Sequence, residues 1–203
     1  MGKIRFIYTK IGIAKWTSHL DLTTVFRRAF NRAGIALTHS QGFNPHPYLS
    51  VALPMPVGAE SVCEMLDVKL ENPPEDNVLT ALNAALPPGL EVIGWTDHLR
   101  PLTELAATRV MIQLDAPPDD LSFLNAPFLI EKKSKKGMVT LDIVPFLSNV
   151  NLDGNILTMT LAAKPEGAPG FGVIIKALAQ FEPTDMRRVA VLDAGGNDFM
   201  GSK

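Results

Sequence analysis

Apolar residues open the chain at every second position. In KIRFIYTK, Ile4, Phe6 and Tyr8 fall on one side and Arg5, Ile7 and Thr9 on the other, the period of a β-strand. The period then changes. In TSHLDLTTVFRRAFNRAG, Leu22, Val25, Phe26, Ala29, Phe30 and Ala33 recur at helical spacing, Ser18 and Asp21 stand as N-cap and N3, and Gly34 is placed to end the helix. This leaves Arg27, Arg28, Asn31 and Arg32 on the other side. IALTHS and YLSVALPM read as strands on either side of a stiff loop, and CEMLDVKL as another. PPEDNVLTALNAAL has a proline-acidic start and Val78, Leu79, Leu82 and Leu86 at helical spacing. PPGLEVIGWTDHL then closes the segment as a strand. The order β-α-β-β-α-β predicts an α+β, ferredoxin-like sandwich over residues 1–98, with helices on one face of an antiparallel sheet.

A weaker version of the pattern recurs from residue 106. ATRVMIQLDA reads as a strand, PDDLSFLNA as a short helix, FLIEKKS, GMVTLDI and GNILTMTLAA as strands, FGVIIKALAQF as a helix and RRVAVLD as a last strand. The expectation is a second, degenerate ferredoxin-like unit over 106–194, so that the chain holds tandem units. LRPLTEL (99–105) is the expected linker and 195–203 a loose tail. Lys132, Lys133, Lys135 and Lys136 with Gly137 make a charged hairpin tip.

Composition narrows the class. The chain has 203 residues, 46 % of them hydrophobic, enough for a proper core. No run approaches a membrane span, and the alternating N-terminus lacks a signal peptide's apolar core, so the expected location is the cytoplasm, with no membrane partner. The single cysteine, Cys63, excludes an intrachain disulfide and a Cys-rich zinc or iron–sulfur centre, and neither a metal nor a cofactor is expected. The net charge of −2 hides an asymmetry: residues 1–60 carry Lys3, Arg5, Lys10, Lys15, Arg27, Arg28 and Arg32 against Asp21 and Glu60. A basic N-terminal part either faces an anionic partner or pairs with the acidic remainder.

No phosphate loop, dinucleotide fingerprint, zinc helix or nucleophile elbow is present. The candidate chemistry gathers in two stretches. SQGFNPHP (40–47) fixes Asn44 and His46 ahead of prolines, so that Gln41, Gly42, Phe43, Asn44 and His46 sit on a shaped loop. SHLD (18–21) puts His19 in a first helical turn with nothing structural requiring an imidazole. His19, Asp21 and His46 are the catalytic candidates of an acid/base cluster, provided the two stretches meet in space. Lys15, Trp16, Arg27, Arg28, Arg32, Gln41, Gly42, Phe43, Asn44 and His46 are the candidates for RNA or anion binding, because bases stack on aromatic faces while cations hold phosphates.

The string KWTSHLDLTTVFRRAFNRAGIALTHSQGFNPHPYLSVALPMPVGAES, with EMLDVKL and LNAALPPGLEVIG after it, resembles the N-terminal signature of the radical SAM-linked protein family, a bacterial domain of unknown function. The match is dense over residues 3–95 and thinner afterwards, where KPEGAPGFGVIIKAL and EPTDMRRVAVL still resemble the family's last helix and strand. The resemblance implies an accessory protein, found alone or fused behind a cobalamin-binding radical SAM protein. It supplies no catalytic residues, and a radical SAM cluster would have to belong to the partner. The expected function is therefore a binding module that holds RNA and presents it to a radical SAM enzyme. An enzyme acting through His19, His46 and Asp21 and a protein scaffold without nucleic acid are the alternatives.

Overall fold

The computed structural model describes residues 2–134, 137–163 and 168–200 and is mixed α and β, with mostly antiparallel sheet and three α-helices among those residues. The chain divides into two compact units, residues 1–102 and 103–203. The division falls inside the expected linker.

The first unit runs β1 (Lys3–Lys10), α1 (His19–Arg32), β2 (Leu49–Ala52), β3 (Glu60–Lys69), α2 (Val78–Ala85) and β4 (Leu90–Thr96). Its strands lie in the order β4-β1-β3-β2, each antiparallel to its neighbour. Ile4, Phe6 and Tyr8 turn one face of β1 toward Leu22, Phe26 and Phe30 of α1 and Val78 and Leu82 of α2. Phe30 meets Phe6 edge-on with ring centroids 5.7 Å apart, and Phe26 meets Tyr8 at 4.7 Å. Both helices thus bury one stripe on one face of the sheet.

Helix α1 starts and stops where its sequence says it should. The Ser18 hydroxyl accepts the Asp21 N–H and donates to the Asp21 carboxylate at 2.7 Å. At the other end Gly34 takes φ +72°, and the Gly34 and Ile35 N–H groups return to Asn31 and Phe30 carbonyls, the paired bonds of a Schellman stop. The strand expected over IALTHS does not form. Only isolated bridges, Leu37 with Leu70 and His39 with Pro47, stand there, because prolines 45 and 47 have no N–H with which to extend a ladder.

The second unit contains β5 (Leu105–Leu114), β6 (Leu129–Ser134), β7 (Gly137–Asp142), β8 (Leu147–Asp153), β9 (Ile156–Ala162), α3 (Phe171–Ala177) and β10 (Pro183–Asp193). Strands β10, β5, β9 and β8 neighbour one another in that order, and β6 pairs with β7 alone. The expected short helix is a 3-10 turn at Ser122–Leu124, and the β6–β7 hairpin follows it, so this unit is not a second copy of the β-α-β-β-α-β order. The spacing of apolar residues does not predict strand β8. Its residues LSNVNLD alternate weakly, and its edge position requires no continuous apolar face. The expected lysine hairpin tip falls at residues 135 and 136, outside the described residues, as do the side chains of Lys132 and Lys133. The end of the chain is better held than expected. Phe199 is 2 % exposed and its N–H bonds the Val191 carbonyl, folding residues up to 200 onto β10.

Candidate nucleic-acid interface

The stiff SQGFNPHP segment is the far end of a narrow hairpin. Its foot is tied to β3: the Thr38 N–H donates to the Lys69 carbonyl (2.8 Å), the Lys69 N–H to Tyr48 (3.1 Å) and the Tyr48 N–H to Thr38 (2.9 Å). Higher up, the Ser40 N–H donates to the His46 carbonyl (2.8 Å) and the His46 N–H to the Ser40 hydroxyl (3.1 Å). The Ser40 hydroxyl also lies 2.9 Å from His46 Nδ1, which is 3.4 Å from the Asn44 carbonyl. Gly42, at φ +125°, turns the chain back where a side chain would strain it. Phe43 stands beside it at the apex, with a relative exposure of 112 %. Gln41, Asn44 and His46 are exposed on its flanks.

Two lysines meet at the foot. Lys3 of β1 and Lys69 of β3 are directly opposed in the antiparallel register and share a face of the sheet. Like charges so placed cost stability. Lys69 Nζ lies 4.4 Å from the centroid of the Tyr48 ring, a cation–π contact that holds the ammonium over the start of β2. One step along the same face the Asp67 carboxylate is taken by Arg5, with Nε–Oδ1 at 2.6 Å and Nη2–Oδ2 at 2.9 Å. Neither lysine has an ion pair among the described residues. In the sequence Lys3 counts only toward the basic N-terminal charge, Tyr48 only as an aromatic among those basic residues, and Lys69 not at all. Their spacing is uninformative until the β1–β3 register brings residues 3 and 69 together.

The other candidates lie elsewhere. Lys15, Trp16, His19 and Asp21 follow the Lys10 end of β1, while the hairpin is bonded to Lys69 at the Lys3 end, about 23 Å away along an extended strand. The structure therefore does not bring His19 and Asp21 to His46, and among the described residues no three His, Cys, Asp or Glu side chains cluster as metal ligands would. Trp16 rests on Gly58, where an added Cβ would stand 3.3 Å from the ring, and Lys15 Nζ lies 5.8 Å from its centroid. Ile13, Trp16 and Leu20 are 76 %, 64 % and 76 % exposed. Arg27 and Arg28 project from the outer side of α1, whereas the Arg32 guanidinium donates to the Ala85 carbonyl and so neutralises the last turn of α2.

The chain was compared with known proteins. A family model described as an uncharacterized protein conserved in bacteria, DUF2344, matches residues 3–168. No curated protein matches the chain.

Proposed function

For a chain that belongs to the bacterial family DUF2344, we propose a role as an RNA-binding accessory module. The observation that carries this reading is the opposed pair Lys3 and Lys69 at the foot of a braced hairpin with Phe43 at its apex. Two ammonium groups held against one another are relieved by a phosphate placed between them. Tyr48 holds one of them in place, and Phe43 offers a bare aromatic face. Arg27 and Arg28 add positive field on α1 without a carboxylate partner among the described residues. The resemblance of residues 15–61 to the radical SAM-linked family supports a radical SAM enzyme as the protein that receives the bound RNA.

Fluorescence anisotropy with labelled tRNA and ribosomal RNA fragments over a salt series tests the RNA reading. Lys3→Glu plus Lys69→Glu removes two phosphate contacts, so affinity falls and the slope of log K against log salt becomes shallower by about 1.4 for single-stranded RNA. Unchanged affinity and slope in that variant, or no binding by the unmodified protein at low salt, rejects it.

The exposed Ile13, Trp16 and Leu20 favour a second reading, a protein scaffold. That reading predicts that Trp16→Ala abolishes co-purification with a co-expressed radical SAM enzyme while RNA binding is unaffected.

A further inference from the structure

The hairpin's shape also bears on which part of an RNA it meets. Resting on the RNA-binding reading, we infer that residues 40–48 are a site for an unpaired nucleotide, whose base stacks on Phe43 and hydrogen-bonds with His46 Nε2.

Three features carry this. An A-form duplex hides its base faces within the stack, whereas loops, bulges and single strands expose them. Phe43 has no neighbour covering its ring, and it sits at the end of a hairpin too narrow to track a groove wall by area. Its useful contact is therefore with the flat of a base. Pro45, Pro47 and the Ser40–His46 bonds also hold the apex in advance, so little conformational entropy is lost when a base arrives.

The network sets the chemistry of His46 as well. The Ser40 hydroxyl and the Asn44 carbonyl both lie at His46 Nδ1, 2.9 and 3.4 Å away, so Nδ1 is engaged within the hairpin. Nε2 is left on the side of the ring away from Ser40. Nε2 has no partner among the described residues. The flank of the apex thus presents an unpartnered ring nitrogen to a base edge, while Lys3 and Lys69 at the foot meet a phosphate further along the strand.

The test compares three labelled RNAs of equal charge by anisotropy: a blunt duplex, a hairpin with a seven-nucleotide loop and an unstructured strand. The loop and the strand carry 2-aminopurine as a stacking reporter. The site predicts that loop and strand bind at least about fivefold more tightly than duplex, in keeping with the worth of one base–aromatic stack, and that binding quenches 2-aminopurine. Phe43→Ala removes both the preference and the quenching and leaves duplex affinity unchanged, while Phe43→Trp retains both. His46→Ala weakens loop binding and spares duplex binding. Phe43 contributes nothing to the core, and matched thermal melts confirm that these variants fold. Equal affinity for all three RNAs, or a loop preference that survives Phe43→Ala, overturns the inference and leaves RNA binding standing. Absence of binding to any of them overturns both.

Discussion

Arg5 and Asp67 face one another across β1 and β3 in two parallel hydrogen bonds, 2.6 and 2.9 Å long, and Arg5 Nη1 reaches on to the Arg100 carbonyl at 3.1 Å. Arg5 is 4 % exposed. The pair fills the sheet face next to Lys3 and Lys69, so the one carboxylate that the register brings beside those lysines is committed elsewhere. Removing Asp67 alone strips two bonds from a buried guanidinium. Asp67→Ala is expected to lower stability by about 3–5 kcal/mol. In urea unfolding, Arg5→Met with Asp67→Leu should lose less than Asp67→Ala alone, because no buried charge then remains.

Gly89 has φ +87°, and a Cβ there would stand 2.3 Å from the Ile11 carbonyl oxygen, while the Ile11 N–H donates to the Gly89 carbonyl at 2.8 Å. Gly89→Ala should cost at least about 1–2 kcal/mol from the backbone conformation alone, before the overlap is counted. Gly94→Ala, which meets nothing within 4 Å, is the matched control for thermal melts.

Ser40 is the brace of the hairpin, accepting from the His46 N–H and lying 2.9 Å from Nδ1. Ser40→Ala should leave the melting temperature of the first unit unaltered, since the residue lies outside its core. The His46 amide should exchange with solvent about fivefold faster, the equivalent of one hydrogen bond worth roughly 1 kcal/mol. Thermal melts read the first outcome and hydrogen exchange followed by NMR the second.

Asp120 holds the 3-10 turn of the second unit. The Ser122 hydroxyl and then its backbone N–H keep the Asp120 carboxyl below its ordinary value of 3.8. A lowered folded value means that the charged form is favoured by the turn. Its stabilisation is complete above the ordinary value and fades as pH falls through the lower one. The Ser122 amide resonance should therefore shift only in strongly acidic solution, and Asp120→Asn should abolish that shift.

Local signals were legible where one segment decides its own structure. Ser18, Asp21 and Gly34 mark both ends of α1, and the spacing of Leu22, Phe26 and Phe30 marks its buried side, because caps and stripes act within a turn or two. The stiffness of residues 40–47 was visible for the same reason. Its location was not. Whether His46 meets His19 depends on which end of β1 the hairpin is tied to, a property of strand pairing between residues 3 and 69. The opposed lysines were hidden in the same way, and so was the diversion of Arg32 to Ala85. In the second unit, LSNVNLD pairs as β8 through its backbone, which a weak alternation of side chains does not announce.

The register that joins Lys3 to Lys69 also sets a time of assembly. β1 is made before both of its sheet neighbours, β3 and β4, which come much later in the chain. A ribosome synthesising this protein exposes the basic segment long before the sheet holds it in place. Such non-local pairing is slow relative to helix formation. The hairpin of residues 38–48 thus comes into being only after Lys69 has been made, so a nascent chain stalled earlier has the charges of the basic segment without their arrangement.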